Sequence, residues 1–260
     1  MLLYSTTDRN WRQPLSHCVM EALAPDKGLY MPEKIPVLEA SFFERFHTLT
    51  FPELCVELAQ HWLGGAVEAS ALKKITETAF DFPVVLHEVS KGIYSLELWH
   101  GPSLAFKDFG ARFMAGLMAY FNEKTEKPLT ILVATSGDTG GAVAAGFLDV
   151  EGIEVIILYP SGKVSDLQEK QLTTLGKNIT ACEINGSFDD CQALVKEAFL
   201  DGGLKAHYKL SSANSINIAR LIPQSFYYFE ACRQWQGNGK WVCSVPSGNF
   251  GNLTAGLMAK

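Results

Sequence analysis

The feature that most constrains the fold is a change of rhythm in the chain after Phe82. Before it the pattern is helical and repeatedly broken by proline, whereas after it strand-like apolar runs alternate with helical ones. This alternation is typical of α/β folds built around a largely parallel sheet. We predict strands over residues 93–99, 129–135, 155–159, 179–184 and 241–245, and helices over residues 109–122, 141–148, 166–174, 189–199 and 216–235.

Composition narrows the function classes. The 260 residues are enough for two linked domains, and an apolar content of 47% excludes a disordered chain. No apolar run approaches the ~20 residues of a membrane span, and no secretory signal is visible at the N-terminus, so we expect a cytoplasmic protein. The net charge of −6 excludes a dedicated nucleic-acid surface, so loops and helix ends must hold any anionic ligand. Cysteines and histidines are scattered, and we predict no metal site.

A lysine stands at the junction between a predicted strand and the next helix. In residues 100–110 (HGPSLAFKDFG), Lys107 lies between Phe106 and Asp108. One interpretation is a solvated lysine near a helix start, where the helix dipole mildly disfavours a cation. The other is a lysine in an apolar notch, where desolvation lowers the pKa and leaves a nucleophilic amine able to form an imine. This loop alone leaves both interpretations open.

Two glycine-rich segments follow predicted strands and begin predicted helices. Residues 135–141 (TSGDTGG) and 247–252 (SGNFGN) can present backbone N–H groups to an anion at a helix N-terminus. The alternative for the first is an ordinary βα turn capped by Ser136 or Asp138. The first lacks the ending of a P-loop, and the second lacks the dinucleotide-binding pattern. Because ligands bind beyond the strand ends of open α/β sheets, we expect the lysine and both segments at one edge, as pyridoxal 5'-phosphate requires.

The order of four segments resembles the threonine synthase family of fold-type II pyridoxal-phosphate enzymes: SLAFKDFGAR, TSGDTG, SANSINIAR and VPSGNFGN. Residues 23–32 (LAPDKGLYMP) resemble the family's opening segment, which related dehydratases and cysteine synthases lack. The resemblance covers essentially the whole chain but not the family's C-terminal portion. We therefore expect a fragment, with its large domain incomplete, that is inactive or nearly so on its own.

The resemblance implies a tryptophan synthase β-like α/β fold and assigns residues to it. The domains would be an N-terminal helical domain over 1–85, a large domain over 86–128 and 223–260, and a small α/β domain over 129–222. Lys107 would be the Schiff-base lysine, Phe106 would pack beside the cofactor, and Asp138 stands where relatives carry an asparagine near the cofactor's 3-hydroxyl. The cofactor phosphate would be held by Ser247, Gly248, Asn249, Phe250, Gly251 and Asn252. The substrate would be bound by Thr135, Ser136, Thr139, Asn214, Asn217 and Arg220.

The activity that the resemblance implies is conversion of O-phospho-L-homoserine and water into L-threonine and phosphate, the last step of threonine biosynthesis. It implies a cytoplasmic, monomeric lyase with a small-molecule substrate and no nucleic-acid or membrane partner. One alternative is another fold-type II enzyme, such as a threonine dehydratase or a cysteine synthase, which the N-terminal segment disfavours. Another is a non-catalytic threonine-synthase-like protein that binds pyridoxal phosphate, which the presence of both Lys107 and Arg220 disfavours. A nucleotide-binding α/β protein is disfavoured because both fingerprints are missing.

Overall fold

The N-terminal part combines a small antiparallel sheet with several helices. The structure, a computed structural model, describes residues 1–123, 127–237 and 239–260. The first sheet has the strand order β2-β1-β3 and consists of β1 (Leu2–Ser5), β2 (Arg12–Pro14) and β3 (Tyr30–Pro32). The helices of this part are α1 (Leu15–Glu21), α2 (Ala40–Arg45), α3 (Phe51–Leu63) and α4 (Ala69–Ala79). The helical rhythm of the sequence did not predict this sheet.

A four-stranded parallel sheet in the order β8-β7-β6-β9 forms the next part. Its strands are β6 (Leu129–Ala134), β7 (Ile153–Pro160), β8 (Ile179–Ile184) and β9 (Lys209–Ser212). The helices between them are α6 (Asp138–Phe147), α7 (Asp166–Thr173), α8 (Phe188–Leu200) and α9 (Gly202–His207). Every residue of β6 is buried, as expected for a strand covered on both faces. The α/β class and the strands predicted at β6, β7 and β8 are confirmed.

Two predicted strands differ in the structure. β5 (Ile93–Glu97) pairs antiparallel with β4 (Val85–Ser90) in a separate two-stranded sheet. Residues 241–245 form no strand, and Val242 is 92% exposed. A strand needs a neighbour for its backbone hydrogen bonds, and an apolar run does not supply one. The sequence predicted that the strands before the lysine loop and before the two glycine-rich segments end at one sheet edge. This expectation is wrong, because of these three predicted strands only β6 belongs to the parallel sheet.

Two long helices form the centre of the core. They are α5 (Lys107–Asn122) and α10 (Ile218–Gln234), which pack against each other. Phe80, at the end of α4, stacks on Phe113 of α5 with ring centroids 5.8 Å apart and meets Phe226 of α10 edge-on at 5.7 Å. Burying each ring stabilises the fold by about 1.5–3 kcal/mol. This packing joins α4, α5 and α10.

The last element, α11 (Gly251–Ala259), packs against α10. Across the described part of the chain, no helix is long and apolar enough to cross a membrane. The same residues contain no group of three or more His, Cys, Asp or Glu side chains that could hold a metal ion.

Candidate active site

Lys107 is the first residue of α5, and only 25% of its side chain is exposed. Its Nζ lies 3.7 Å from Asp138 Oδ2 at the start of α6 and 5.9 Å from the centre of the Phe106 ring. Burial lowers the pKa of the Lys107 amine; the Asp138 carboxylate opposes this, and the positive charge of Arg220 lowers the pKa further. The geometry fits a lysine in an apolar notch, because partial desolvation increases the neutral, nucleophilic fraction of the amine.

The loop after β6 is closed by Thr135, whose side chain is buried. Its hydroxyl accepts hydrogen bonds from Gly137 N (3.0 Å) and Gly140 N (2.8 Å) and donates one to the Gly137 carbonyl oxygen (3.0 Å). Gly137 has φ +144°, a conformation that favours glycine. Ser136 is exposed and Thr139 is half-buried. Thr135 therefore shapes the loop, whereas Ser136 and Thr139 lie at the start of α6, where a ligand can reach them.

Asp138 contacts two elements through its half-exposed carboxylate. One oxygen faces Lys107, and the other accepts a hydrogen bond from Gln168 Nε2 of α7. One turn further along α7, Gln171 Nε2 donates to the Ser103 carbonyl oxygen in the lysine loop at 3.3 Å. Sequence analysis missed both glutamines, because an amide within an ordinary helix forms no recognisable motif.

Asp108 is a further group that sequence analysis missed. Its fully buried carboxylate accepts hydrogen bonds from Ser103 N (2.9 Å) and Ser103 Oγ (2.6 Å). Burial raises the pKa of Asp108, and the Ser103 hydrogen bonds and the nearby arginines oppose this. Gly101 makes the contact possible, since a Cβ there would lie 2.4 Å from Asp108 Oδ2. The sequence signal that could have identified Asp108 is an acidic residue directly after an unusual lysine, at the start of an apolar helix.

Arg220 is 1% exposed and lies beneath the first turn of α5. Its Nη1 donates to the Ala213 carbonyl oxygen at 2.6 Å, and its buried Nε has no hydrogen-bond partner within the described structure. Gly110 makes room for it, since a Cβ there would lie 2.8 Å from Nε. Burial lowers the pKa of Arg220 to about 10, and the negative charge of Asp108 opposes this. The guanidinium is thus an interior cation with one unused donor, not a surface group.

The two asparagines before α10 have structural hydrogen bonds. Asn217 caps the helix, since its Oδ1 accepts from Ala219 N at 3.0 Å, while its Nδ2 donates to the Val19 carbonyl oxygen at 2.9 Å. Asn214 Nδ2 donates to the Ala134 carbonyl oxygen at 3.3 Å, which connects the start of α10 with the end of β6. Both side chains therefore fix the position of α10 and shape the surroundings of the site.

The last residue of the 247–252 segment is hydrogen-bonded to α10. Asn252 Oδ1 accepts hydrogen bonds from the hydroxyls of Tyr227 (2.6 Å) and Tyr228 (2.7 Å), both on α10. A Cβ at Gly251 would lie 3.4 Å from Ser215 Cβ, just before α10. The start of α11 is thus tied to the helix that carries the buried arginine.

The rest of this segment faces solvent. Gly248, Asn249 and Phe250 are exposed, Phe250 by 67%, and Ser247 Oγ donates to the Val245 carbonyl oxygen at 3.3 Å. A Cβ at Gly248 would meet nothing within 4 Å. The backbone ahead of α11 is therefore open to an anion, which the dipole at the helix N-terminus attracts.

The structure brings Lys107, Asp138 and Arg220 together, and α10 connects them to the 247–252 segment. The site thus combines a half-buried amine of lowered pKa, an interior arginine with an unused donor and an open helix N-terminus. Together these groups can bind an aldehyde that carries an anionic group. These residues therefore fit pyridoxal 5'-phosphate.

Similarity to known proteins shows the family of the chain. Residues 79–259 match the family described as "Pyridoxal-phosphate dependent enzyme", and residues 3–80 match "Threonine synthase N terminus". The chain therefore belongs to the pyridoxal-phosphate dependent enzyme family and has the fold of the fold-type II enzymes. This confirms the fold class and the resemblance that the sequence motifs indicated.

Curated relatives that the chain matches include threonine synthases. The chain is 47% identical to threonine synthase of Serratia marcescens and 48% identical to that of Haemophilus influenzae, each match covering the whole chain and 61% of the relative. The crystal structure of threonine synthase from Escherichia coli matches with a TM-score of 0.92 at 45% identity, over 100% of this chain and 60% of that one. PLP-bound threonine synthase from Brucella melitensis matches with a TM-score of 0.92 at 35% identity, over 100% and 57%. The chain thus spans 61% of the length of these curated relatives.

Proposed function

We propose that this chain carries the cofactor-binding and proton-transfer residues of a threonine synthase, which converts O-phospho-L-homoserine and water into L-threonine and phosphate. The observation that carries the proposal is the position of Lys107, a partly desolvated amine 3.7 Å from the Asp138 carboxylate. The positive charge of Arg220 also lowers the pKa of this amine. The likeness to threonine synthases over the whole chain supports the choice of substrate.

Pyridoxal 5'-phosphate is the proposed cofactor. Lys107 would bind its aldehyde beside Phe106, residues 247–252 would bind its phosphate at the start of α11, and Asp138 is the proposed neighbour of its 3-hydroxyl. When bound, the cofactor supplies an electron sink that stabilises negative charge on the substrate carbons next to the amino group. The exposed backbone ahead of α11 supports the phosphate assignment.

Lys107 is the proposed acid–base group. Burial lowers the pKa of its amine, which increases the neutral fraction near neutral pH, and a neutral amine can remove the proton from the substrate Cα. The Asp138 carboxylate stabilises the resulting ammonium, so the amine can hold a proton taken from Cα or Cβ and deliver it to Cγ or back to Cα. Loss of a proton from Cβ lets phosphate leave from Cγ, and Cγ then takes up a proton. Water gives its hydroxyl to Cβ, so the broken Cβ–H and Cγ–O bonds are matched by the new Cβ–O and Cγ–H bonds.

Arg220 is the proposed ligand of the substrate phosphate. Its unpartnered Nε supports this role, because a guanidinium can offer paired donors to a phosphate. Ser136 and Thr139, at the N-terminus of α6, are proposed to bind the substrate carboxylate or phosphate. The pocket around them would be shaped by Thr135, Asn214 and Asn217.

The cofactor assignment is tested with the 260-residue chain itself. After addition of pyridoxal 5'-phosphate we expect a visible absorption band that disappears on borohydride reduction, with the added mass on the peptide that contains Lys107. Lys107→Ala protein of unchanged circular dichroism should show only the spectrum of the free aldehyde. Attachment of the cofactor mass to a different lysine would overturn the assignment.

The reaction is tested by release of phosphate from O-phospho-L-homoserine together with formation of threonine. Because the chain spans 61% of its relatives, we predict little or no turnover by residues 1–260 alone, and the assay includes any longer natural form of the protein. Full turnover by the 260-residue chain would contradict this prediction. Absence of phosphate release from every form would contradict the proposed reaction.

A second candidate function is a non-catalytic protein that binds pyridoxal phosphate. The observation in its favour is the burial of Arg220, which leaves its guanidinium 1% exposed. The phosphate-release assay separates the two candidates. A cytoplasmic location and a monomeric state are further proposals that rest on the sequence motifs, and light scattering during size-exclusion chromatography tests the second.

A further inference from the structure

Helix α7 contacts both loops of the candidate site through two glutamines that lie one turn apart. Gln168 Nε2 donates to Asp138 Oδ1 in the glycine-rich loop, and Gln171 Nε2 donates to the Ser103 carbonyl oxygen in the lysine loop. We propose that Gln168 is a positioning residue that orients the Asp138 carboxylate toward the Lys107 amine and thereby controls the protonation of that amine. Its relevance to catalysis rests on the proposed function, in which Lys107 transfers protons.

The Gln168 amide is held in one orientation. Its Oε1 accepts a hydrogen bond from Ser165 Oγ at 3.1 Å, which leaves Nε2 to face Asp138. Ser165 is itself fixed as the N-cap of α7, where its Oγ accepts from Gln168 N at 3.4 Å. Gly137 admits the amide, since a Cβ at that position would lie 2.5 Å from Gln168 Oε1. The glycine before Asp138 therefore gives Gln168 its access to the carboxylate.

Asp138 needs such a partner because 48% of its side chain is exposed. An exposed carboxylate can rotate into water, and its interaction with an ammonium is then screened. In the structure, Gln168 holds Oδ1 while Oδ2 faces the Lys107 Nζ at 3.7 Å. One oxygen is thus anchored so that the other remains directed at the amine.

The charged groups that face Lys107 from the packed helices are Asp138 of α6 and Arg220 of α10. Burial and the Arg220 charge lower the pKa of the amine, and Asp138 provides the opposing attraction. If Asp138 turns away, the attraction weakens while burial and Arg220 remain. Loss of Gln168 should therefore lower the pKa of Lys107 further, in the same direction as loss of the Asp138 charge itself.

The experiment measures the protonation of Lys107 without cofactor. The protein is treated with formaldehyde and cyanoborohydride over a series of pH values, and peptide mass spectrometry gives the extent of methylation at Lys107, whose midpoint reports the amine pKa. We expect Gln168→Leu and Asp138→Asn each to lower the midpoint by about 0.5–1 pH unit, within or just below the range for an opposite charge at 4–6 Å. The double variant should shift no further than Asp138→Asn alone, because Gln168 acts through Asp138.

Two further variants make the test specific. Leu167→Ala, on the same helix and 61% exposed, is the matched control and should leave the midpoint unchanged. Ser165→Ala frees the Gln168 amide and should lower the midpoint by a smaller amount, which provides a second measurement should Gln168→Leu fail to fold. Circular dichroism and cooperative thermal unfolding establish that each variant is folded.

The proposal is overturned if folded Gln168→Leu and Ser165→Ala proteins keep the wild-type midpoint, or if the shifts of Gln168→Leu and Asp138→Asn add in the double variant. The readout needs no cofactor, so it is independent of the proposed function. Failure of pyridoxal 5'-phosphate to attach at Lys107 would refute that function while the midpoints still test Gln168.

Discussion

At the scale of single residues, the site depends on side chains that hold other side chains. Asp108 is fixed by two hydrogen bonds from Ser103, and Asp138 is fixed by Gln168. The Lys107 amine therefore faces a carboxylate, that of Asp138, which another side chain contacts in turn. Burial has the largest effect on the pKa of this amine, and the Asp138 carboxylate opposes it.

The first prediction concerns the pH dependence of stability. Burial lowers the pKa of Lys107 below its ordinary value of 10.5, so over the interval below that value the unfolded chain binds more protons than the folded protein. Stability contributed by this residue must then rise with pH across the interval. Urea unfolding at about pH 8 and about pH 10 should show wild-type protein gaining stability relative to Lys107→Met at the higher pH. An equal difference at both pH values would contradict the lowered pKa.

The second prediction concerns Gly137, where both the backbone and the space exclude a side chain. Its φ is +144°, and a Cβ would lie 2.5 Å from Gln168. We expect Gly137→Ala to lower the free energy of unfolding by about 3 kcal/mol. Gly162→Ala is the matched control, since its φ is also positive, at +62°, but nothing lies within 4 Å, so about 1 kcal/mol should be lost. Equal losses in denaturant unfolding would show that the Gln168 contact adds nothing.

The residues that carry local motifs could be predicted, whereas those defined by tertiary contacts could not. Lys107 and the glycine-rich loops stand out because lysine and glycine are unusual at those positions in an apolar chain. Nothing local marks Gln168 or Asp108, because their roles arise only when α7 and the lysine loop are packed against the site. The interior position of Arg220 likewise results from the packing of α10 on α5.

At the scale of elements, apolar periodicity predicts helices better than strands in this chain. The predicted helix over 109–122 corresponds to α5, which begins two residues earlier, at Lys107. The prediction missed this start because an aspartate and a glycine interrupt the apolar pattern of the first turn. β9 (Lys209–Ser212) was missed because its KLSS sequence lacks an apolar pattern, although β6 pairs with it in parallel. The prediction of a strand over 241–245 is wrong for the opposite reason. The apolar pattern is present there, but an apolar run without a pairing partner stays irregular.

The third prediction tests the aromatic packing that joins α4, α5 and α10. Phe80 is 1% exposed and contacts Phe113 and Phe226. We expect Phe80→Ala to lower the free energy of unfolding by about 3–5 kcal/mol, because it leaves a cavity among three helices. Phe43→Ala, at a position 46% exposed, should cost much less. Similar losses in the two variants, measured by urea unfolding, would show that the three helices do not depend on this ring.

At the scale of the whole molecule, two regions each expose more than one large apolar side chain. The β4–β5 hairpin exposes Val89 by 63% and Ile93 by 62%, while Val242 and Phe250 are exposed by 92% and 67% in the stretch before α11. Clustered apolar exposure of this kind marks surfaces that interact with other groups. The chain therefore carries considerable apolar surface in contact with water.

The fourth prediction is that the folded chain binds the dye anilinonaphthalene sulfonate, whose fluorescence rises at exposed apolar surface. We expect Val242→Lys to reduce the fluorescence. Val37→Lys is the control, since Val37 is also almost fully exposed, at 90%, but lies outside both regions. An equal effect of the two substitutions would show that the dye does not distinguish the stretch before α11 from isolated apolar side chains.

Helix α10 connects both proposed anion-binding groups, Arg220 and the 247–252 segment. It carries Arg220 in its first turn, and the hydroxyls of Tyr227 and Tyr228 donate hydrogen bonds to Asn252 at the start of α11. Any tilt of this rod would displace the arginine and the 247–252 backbone together. If an anion bound at either group shifts α10, it changes the affinity of the other group, and thermodynamic reciprocity requires the two changes to be the same factor.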